Sequence, residues 1–570
     1  MLIFINYLGF KSTSIVLHIT KQSLLLLAIG MLLYSCGGES VLTNPPPSTL
    51  TLTHSLISVN PYTVLFSANA NDSDQLTYTW DFGEGTEIEG AGVQEFVFDQ
   101  DQEFVITVSV SDGVNDPIST FVRINTSLVD LTVNQEITFQ TIQGFGGFGA
   151  SKPWWGTEPF YDDSFVSMLI EDLGVTIIRD NVPIGFEPEN DNEDPYDLDL
   201  TKFNTTYDVP ETDSYLGQHI PYLSAMHEAG LEKLIATVWS PPIWMKHNNH
   251  RGNGTTDEYS APAYTDDPDS NTNQLKVDNY EEFAEYCVAY VKVIKQETGI
   301  DLYAISLQNE PRFSQFFASC IHSFESYRDL VKVVGARFEA ENLSTKIFMP
   351  EDVGSMFHIE GYIQAILDDP DARKYVDIVA IHNYENDGVT ASNVGPTNWA
   401  STAALAAQNG SEVWMTETSG FEDDWDGAFS LGLSIYNALN FGNINAWVYW
   451  QLSGGNDQAL ILSGSPNSRY FVSKNYYRYI RPGAVRLEIF SESTDVLALA
   501  FMHDTEETKT VVILNNEDKV VGTRLNGAFK DTNFTAYLTS EVDDHVDMGA
   551  MSGSEGLLLP AKSIITLYSN

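Results

Sequence analysis

The sequence predicts a multidomain chain: an immunoglobulin-like β-sandwich, then an α/β barrel of (β/α)₈ (TIM) type with a β-sandwich fused at its C-terminal side. Three observations lead to this fold class. Apolar segments alternate eight times with helical patterns between residues 139 and 475. Polar side chains gather directly after many of these segments, where barrel active sites lie. On both flanks, short segments alternate apolar and polar residues between turn residues, which is typical of sandwiches.

Length and composition limit the possible functions. The 570 residues exceed the roughly 100–200 residues of an average domain. The formal net charge of −50 repels nucleic acid and other polyanions, so we expect a neutral substrate and no nucleic-acid partner. The chain has only 3 cysteines, which excludes a zinc cluster of the usual type and a disulfide framework. Whether Cys287 and Cys320 pair stays open at this point.

The first 36 residues resemble a bacterial lipoprotein signal peptide. An apolar run at 24–33 is too short for an ordinary membrane span and leads into Leu-Tyr-Ser-Cys at 33–36. The resemblance implies a lipid on Cys36 and an anchor in the bacterial envelope, in the outer membrane, with no other membrane contact. Plain secretion with an incidental cysteine is the alternative. Residues 37–47, rich in glycine and proline, would form a tether.

Residues 48–127 form the predicted N-terminal sandwich. Short strands such as 62–66 and 104–110 are separated by turn residues. The sequence Trp-Asp-Phe-Gly at 80–83 resembles the hallmark of polycystic-kidney-disease-type (PKD) domains. That resemblance implies an immunoglobulin-like module that acts as a spacer. Weak carbohydrate binding by the module is the alternative function.

Eight apolar segments between 139 and 475 are the predicted barrel strands. They end at or span residues 143–149, 175–180, 234–239, 303–307, 346–351, 376–384, 413–417 and 444–451. Helical patterns separate them, for example at 280–298, where an apolar stripe ends at Gly299. A doubly wound sheet is the alternative fold, but no glycine-rich phosphate loop follows a strand.

Two of these strands deliver a carboxylate to the predicted mouth. Glu310 follows the fourth strand within Gln-Asn-Glu-Pro, and Glu417 ends the seventh within Trp-Met-Thr-Glu. Each glutamate alone could be an ordinary surface residue after a strand. Together, at the same end of one barrel, they form the pair that glycoside hydrolysis needs: an acid/base and a nucleophile.

Five motifs in this order resemble glycoside hydrolase family 30, a family of retaining barrel glycosidases. They read Gln-Gly-Phe-Gly-Gly at 143–147, Trp-Ser-Pro-Pro-Ile-Trp-Met-Lys at 239–246, Gln-Asn-Glu-Pro at 308–311, Trp-Met-Thr-Glu at 414–417 and Arg-Pro-Gly at 481–483. The resemblance implies Glu310 as acid/base, Glu417 as nucleophile and a polysaccharide or oligosaccharide substrate. It also implies a side β-sandwich built from 128–138 and 476–570. No metal or organic cofactor is expected, and the protein is expected to be a monomer.

Further side chains at strand ends are candidate substrate-binding residues. Asn309 is expected to bond a sugar 2-hydroxyl, and Arg179 to keep the nucleophile ionised. His382 and Tyr384 are expected to contact Glu417 and the substrate. Three tryptophans are expected to floor or line the cleft: Trp450, Trp239 and Trp244. Each of these residues has a plain structural alternative, such as a core tryptophan or a buried histidine.

Competing carboxylates and the substrate itself stay open in the sequence. Asp180, Glu351 and Glu385 also follow strands but lie outside the family motifs. The resemblance allows a β-linked plant or algal glycan, of xylan or β-1,6-glucan type, without fixing linkage or endo or exo action. Arg469 lies where related xylanases recognise glucuronate, but its surroundings, Ser-Pro-Asn-Ser-Arg-Tyr at 465–470, depart from their pattern. The alternatives are an exo-acting enzyme of glucosylceramidase type and a non-catalytic glycan-binding lipoprotein.

Overall fold

The structure is a computed structural model. It describes residues 46–569, except 60, 72–74, 84, 100–101, 127, 150–161, 206–215, 257–271, 354–355, 385–394 and 456–457. The predicted signal peptide, Cys36, most of the tether and Glu385 therefore lie outside the described residues. Among the residues it does describe, no helix is long and apolar enough to cross a membrane.

The N-terminal module is a sandwich of two antiparallel sheets. One sheet has the order β1-β2-β5 and the other the order β4-β3-β6-β7. Trp80 is fully buried between them, and its indole N–H donates to the Ala91 carbonyl at 3.0 Å. The strands are β1 (Ser48–Val59), β2 (Tyr62–Asn71), β3 (Thr77–Asp81), β4 (Glu87–Gly90), β5 (Val93–Phe98), β6 (Glu103–Ser111) and β7 (Ile118–Asn125).

The central region is a closed barrel of eight parallel strands, as predicted. Its strands are β9 (Gly144–Phe148), β10 (Ile177–Val182), β11 (Lys233–Val238), β12 (Ala304–Ser306), β13 (Lys346–Asp352), β14 (Val376–His382), β15 (Glu412–Glu417) and β16 (Ala446–Tyr449). A Cβ atom on Gly146 would lie 1.7 Å from the Ile177 carbonyl oxygen, so β9 meets β10 only with glycine there. β12 is shorter than the predicted 303–307, and beyond it the Asn309 and Glu310 amides donate to the carbonyls of Val238 and Glu351.

Helices surround the barrel and bury their apolar faces against it. In Tyr280–Thr298 the predicted stripe is buried, and Gly299 ends the helix in a left-handed conformation with φ of 77°. The other helices are Asp163–Ser167, Leu216–Glu228, Phe324–Ala340, Met356–Leu367, Pro370–Arg373, Pro396–Asn409, Trp425–Phe441 and Ser468–Tyr477. Shorter helical turns are Met168–Leu173 (π-helical), Ile184–Phe186, Leu200–Lys202, Ile243–Met245 and Val277–Asn279.

A nine-stranded sheet joins the strand before the barrel to the C-terminal segment. Its order is β25-β24-β27-β22-β21-β20-β8-β23-β26. Its strands are β8 (Leu128–Thr141), β20 (Val485–Ser491), β21 (Val496–His503), β22 (Thr508–Asn515), β23 (Val521–Gly527), β24 (Asn533–Thr539), β25 (Val546–Ser552), β26 (Leu557–Leu559) and β27 (Ser563–Ser569). A small sheet beside the barrel holds β17 (Ser453–Gly454), β18 (Ile461–Leu462) and β19 (Ser465–Pro466).

The nine-stranded sheet folds over on itself and encloses its own core. The Leu525 amide on β23 donates to the Gly553 carbonyl at 2.8 Å. Gly553 directly follows β25, which lies at the opposite end of the sheet. The rings of Phe529 and Phe534 lie 6.3 Å apart between these same ends. This closure gives the fused side sandwich that the sequence predicted.

The N-terminal module packs on this side sheet. Leu558 of β26 is buried within the module's own apolar core, and Val520 packs against the same cluster. β7 and β8 are separated by only two residues. The module is therefore in apolar contact with the side sheet and not merely tethered to it.

Candidate active site

The barrel brings Glu310 and Glu417 together at its mouth. Glu417 is the last residue of β15, and Glu310 follows β12 in a left-handed conformation with φ of 45°. One carboxylate oxygen of each residue and one ring nitrogen of His382 lie within 4.8 Å of one another. Retaining glycosidases hold their two carboxyls about 5–5.5 Å apart, and inverting enzymes hold them roughly 6.5–9.5 Å apart. The nearest carboxylate oxygens of Glu310 and Glu417 are thus closer together than the carboxyls of an inverting enzyme.

Arg179 on β10 lies at the centre of the site and is fully buried. Its Nη1 donates to Oε2 of Glu417 at 2.6 Å, and its Nη2 donates to Oδ1 of Asn309 at 2.7 Å. The guanidinium carbon also lies 4.6 Å from the centre of the Trp239 ring, a cation–π contact. Because the Asn309 oxygen is engaged by Arg179, the Asn309 amide N–H group is the part that can meet a sugar hydroxyl.

His382, at the end of β14, connects the two carboxyls. Its Nδ1 lies 3.1 Å from Oε1 of Glu310 and 3.8 Å from Oε1 of Glu417. Burial alone would lower the pKa of His382, but the surrounding carboxylates of Glu417, Glu310 and Glu351 outweigh burial and raise it to about 9. The ring is therefore a cation at neutral pH, and its Nδ1–H donates to Glu310.

Two further groups complete the hydrogen bonds of the pair. The Tyr384 hydroxyl donates to Oε1 of Glu417 at 3.4 Å and lies 3.1 Å from the Ser419 hydroxyl. The amide nitrogen of Gln315 donates to Oε2 of Glu310 at 2.6 Å. Burial raises the pKa of Glu417, and the Glu310 charge adds to that rise, whereas His382 and Arg179 oppose it.

Glu351 lies beneath the pair and not beside the substrate space. It is fully buried on β13, and its Oε1 is 3.1 Å from Nε of Arg179 and 3.6 Å from Nε2 of His382. The Thr237 hydroxyl donates to its Oε2 at 2.8 Å. Burial opposes ionisation of Glu351, but Arg179 and His382 prevail and lower its pKa to about 2.

Glu310, His382 and Glu417 are also the described residues whose donor atoms lie close enough together to hold a metal ion. Their surroundings do not fit that use, because the Arg179 guanidinium lies 2.6 Å from Glu417 and would repel a second cation beside it.

Aromatic side chains form one wall of the site. The Phe148 and Trp450 ring centres lie 4.2 Å apart, and Trp239 lies 5.9 Å from Trp450. Trp450 and Trp239 therefore lie together, and Trp239 adjoins Arg179. Trp244 is different: its indole N–H donates to the Glu187 carbonyl at 3.2 Å, and its ring packs on the main core.

The remaining candidate residues have structural partners. Asp180 points away from the pair, with Oδ1 3.1 Å from Nδ1 of His219 and Oδ2 accepting from Tyr290 at 3.2 Å. Cys287 and Cys320 are both buried and free, so they do not form a disulfide. Arg469 is 1% exposed; it donates to the Phe421 carbonyl and pairs with Asp423 at 3.0 Å.

Sequence reasoning missed several contributors to the site: Gln315, Thr237, Ser419 and Phe148. Phe148 and Thr237 lie within predicted strand segments, and Ser419 follows one by two residues, so their positions were available. Gln315 lies on a loop with no periodic pattern, and only the folded loop shows that its amide meets Glu310. Glu351 was visible at a strand end, but its role as a counterion to Arg179 was not.

An eight-stranded barrel with a close pair of glutamates after its fourth and seventh strands defines an O-glycosyl hydrolase. The model of the glycosyl hydrolase family 30 TIM-barrel domain matches residues 171–467, just over half of the chain. The chain belongs to glycoside hydrolase family 30. The PKD domain model matches residues 49–120, as the N-terminal motif predicted.

Known proteins of different specificity share this similarity. Glucuronoxylanase XynC of Bacillus subtilis (strain 168) is 24% identical over 458 residues, which cover 77% of this chain and 92% of the relative. Lysosomal acid glucosylceramidase of Mus musculus is 24% identical over 437 residues, covering 70% of this chain and 79% of that protein.

Solved structures share the fold. A GH30 endoxylanase from Clostridium papyrosolvens C71 superposes with a TM-score of 0.61 at 24% identity, covering 77% of this chain and all of that one. An endo-β-1,6-glucanase superposes with a TM-score of 0.57 at 20% identity, covering 87% of this chain and 99% of that one.

Proposed function

We propose that this protein is a retaining glycoside hydrolase acting on neutral β-linked glycans, with Glu310 as acid/base and Glu417 as nucleophile. The observation that carries this proposal is the approach of the two carboxyls: an oxygen of each lies within 4.8 Å of the other. An inverting enzyme needs a wider gap, because a water must fit between one carboxyl and the sugar.

In the first step Glu417 attacks the anomeric carbon while Glu310 donates a proton to the leaving oxygen. Glu417 is the better nucleophile of the two because Arg179, at 2.6 Å, favours its ionised form. Glu310 lies against His382 and Gln315 and not against the guanidinium. Glu310 is therefore the member of the pair to which we assign proton donation.

In the second step Glu310 takes a proton from water, and that water releases the sugar from Glu417. Once Glu417 is an ester, its charge is gone, and Glu310 can ionise beside His382. The Gln315 amide donates to an ionised Glu310; after rotation its oxygen can accept from a protonated one. One amide thus serves Glu310 in both states.

Three observations support a neutral glycan as substrate. Phe148, Trp239 and Trp450 form an aromatic wall of the kind on which sugar faces pack. The guanidinium of Arg469 is occupied by Phe421 and Asp423, so it is not available for a glucuronate carboxylate. The net charge of −50 also disfavours acidic polymers. Xylan and β-1,6-glucan are the glycans we propose first, since the similar proteins include xylanases and a β-1,6-glucanase.

The second candidate is an exo-acting β-glycosidase of glucosylceramidase type, which the similarity to the mouse enzyme favours. A non-catalytic glycan-binding role is disfavoured, because a binding protein has no need of two buried glutamates held by Arg179 and His382. We also propose that Cys36 anchors the enzyme to the bacterial envelope, in the outer membrane, and that the PKD domain is a spacer.

The decisive experiment is digestion of xylan, glucuronoxylan, β-1,6-glucan, β-1,6-galactan and glucosylceramide, followed by sizing of the products. We expect oligosaccharides from xylan or β-1,6-glucan. Proton NMR of the first products should show the β-anomer before mutarotation. An α-anomer as first product would contradict the retaining mechanism, and release of monosaccharide alone would favour the exo-acting candidate.

A further inference from the structure

Glu351 occupies an unusual backbone position directly under the catalytic pair. The register between β13 and β14 shifts between Pro350 and Asp352, so Glu351 is left out of the ladder as a bulge. Its φ of 51° lies in the left-handed region that a glutamate rarely adopts. Its carbonyl accepts the Glu310 amide at 2.9 Å. The bulge therefore aims the Glu351 side chain inward and also fixes the backbone of Glu310.

The Glu351 carboxylate faces both cations of the site. Oε1 lies 3.1 Å from Nε of Arg179 and 3.6 Å from Nε2 of His382. These two cations also face the pair, Arg179 at 2.6 Å from Glu417 and His382 at 3.1 Å from Glu310. Two positive charges thus meet three carboxyls in a buried space. The charges balance when Glu351 and one member of the pair are ionised and the other member keeps its proton.

We propose that Glu351 is a positioning residue whose charge makes the catalytic pair retain one proton. Without it, two cations would face only two carboxyls, and both members of the pair would ionise. The general acid would then be missing at the pH where the enzyme works. This inference rests on the proposed roles of Glu310 and Glu417.

The same balance holds in both halves of the reaction. Before attack, Glu417 carries the charge and Glu310 the proton. In the glycosyl-enzyme Glu417 is a neutral ester, and Glu310 ionises to act as base. Glu351, Arg179 and His382 keep their charges throughout, so the site stays neutral overall. One fixed carboxylate therefore suits both steps.

Other ionisable groups around the pair do not provide this charge. Burial raises the pKa of Asp352 to about 7; Arg312 opposes that rise and Glu310 adds to it. Asp352 is therefore largely neutral below pH 7. The phenols of Tyr327 and Tyr384 remain neutral because burial raises the pKa of each. Only Glu351, among the described groups facing both Arg179 and His382, is an anion outside the pair.

The test is the pH profile of Glu351→Gln, measured as kcat/KM on aryl β-glycosides of the sugar that the wild-type enzyme cleaves. The glutamine keeps the shape and removes the charge. We expect the alkaline limb to move to lower pH by on the order of one unit or more. His382 stays protonated, since Glu417 raises its pKa most and is retained. The proton lost at the shifted alkaline limb of the variant is therefore that of the general acid, Glu310.

The leaving group gives a second readout that a merely structural role would not change. Above the shifted limb, the variant should lose more rate on phenyl than on 2,4-dinitrophenyl glycosides, because a good leaving group needs little acid. Glu351→Asp keeps the charge and should restore most of the alkaline limb. Glu339→Gln removes the same charge from an exposed position and should leave the profile unchanged.

The possible outcomes separate the inference about Glu351 from the proposed glycosidase function. An unchanged alkaline limb in folded Glu351→Gln would overturn the inference while leaving the glycosidase proposal intact. A shift seen in Asp352→Asn but not in Glu351→Gln would assign the role to Asp352. If Glu351→Gln does not fold, nitrogen NMR of His382 in the wild type decides, since a neutral ring at pH 7 would also overturn it. A wild type that cleaves no glycan would refute the proposed function itself.

Discussion

Arg179 donates from Nη1 to Oε2 of Glu417 at 2.6 Å, and both side chains are buried. The two residues are 238 positions apart in the chain and are joined by barrel closure. A charge-assisted bond of this length favours ionised Glu417. Replacing Glu417 would remove one of the two carboxylates that face Arg179, the other being Glu351.

The first prediction separates the two glutamates. Glu310→Gln should lose about 10²–10⁴-fold on substrates with poor leaving groups and much less on activated ones, because only proton donation is removed. On activated substrates a glycosyl-enzyme should accumulate and be seen by mass spectrometry. Glu417→Gln should lose about 10⁴-fold or more on every substrate, because no covalent intermediate forms.

Azide checks this assignment independently. With Glu310→Ala, azide should attack the glycosyl-enzyme and give the β-glycosyl azide, which is the retained product. With Glu417→Ala, azide should fill the vacated space and give the opposite anomer. Exchange of these products between the two variants would reverse the assignment. Full activity in either variant would remove that glutamate from the mechanism.

The second prediction concerns buried acids next to the barrel. Glu187 follows β10, and Glu285 lies on the helix Tyr280–Thr298; both are buried, and none of their carboxyl oxygens has a hydrogen-bond partner. Burial, together with Asp191 and Glu282, raises the pKa of Glu187 to about 9 and that of Glu285 to about 7. The folded state thus holds protons that the unfolded chain releases above about pH 4.5.

The free energy of unfolding should therefore fall as pH rises from about 4.5 to about 9. Glu187→Gln cannot ionise, so it should melt above the wild type at pH 8.5 and close to it at pH 4.5. Scanning calorimetry with EDTA present measures this, and Glu339→Gln serves as the exposed control. If the wild-type Tm did not change across this range, or if calcium added in place of EDTA raised it, the two acids would be ionised in the folded protein.

The third prediction concerns the contact between the N-terminal module and the side sheet. Removal of residues 48–126 should leave turnover on short soluble substrates, since the module holds none of the site residues. It should also lower the Tm, because Leu558 loses its apolar partners. Leu558→Ala in the full chain should cost about 2 kcal/mol or more. An unchanged Tm in both variants would show that the contact contributes no stability.

The fourth prediction addresses acidic substituents. Because Arg469 is paired with Asp423, cleavage of xylan should not depend on glucuronate side groups. Arg469→Met should lower the Tm, since it leaves Asp423 and the Phe421 carbonyl without a donor. It should not change the ratio of rates on unsubstituted and glucuronate-bearing xylan. If the variant instead lost more rate on glucuronate-bearing xylan than on unsubstituted xylan, Arg469 would be assigned to substrate recognition.

The fifth prediction concerns the anchor. Cys36→Ala should move the enzyme from the membrane fraction to the soluble fraction of the producing cell, because the lipid attachment point is lost. Mass spectrometry of the wild type should find a mature N-terminus at Cys36 with attached acyl chains. Unchanged partitioning of the variant would refute the anchor.

Strand and helix assignments were predictable because they depend on local pattern. Apolar runs gave each barrel strand, and the stripe before Gly299 gave a helix with the observed ends. Residues at the ends of parallel strands share one face, so Arg179, Glu310, His382 and Glu417 could be grouped without coordinates. Asp180 is an informative exception: it is the neighbour of Arg179 on β10, and the alternation of side chains along a strand sends it outward to His219.

The sequence by itself determined the barrel, the sandwich modules and the choice of Glu310 and Glu417 as the candidate pair, because periodicity and strand-end motifs are properties of neighbouring residues. The tertiary structure alone decided which groups surround that pair. A bulge turned Glu351 inward beneath Arg179, a loop brought the Gln315 amide to Glu310, and packing placed Leu558 in the N-terminal module. Those contacts join residues far apart in the chain, where pairing depends on register, burial and charge in three dimensions.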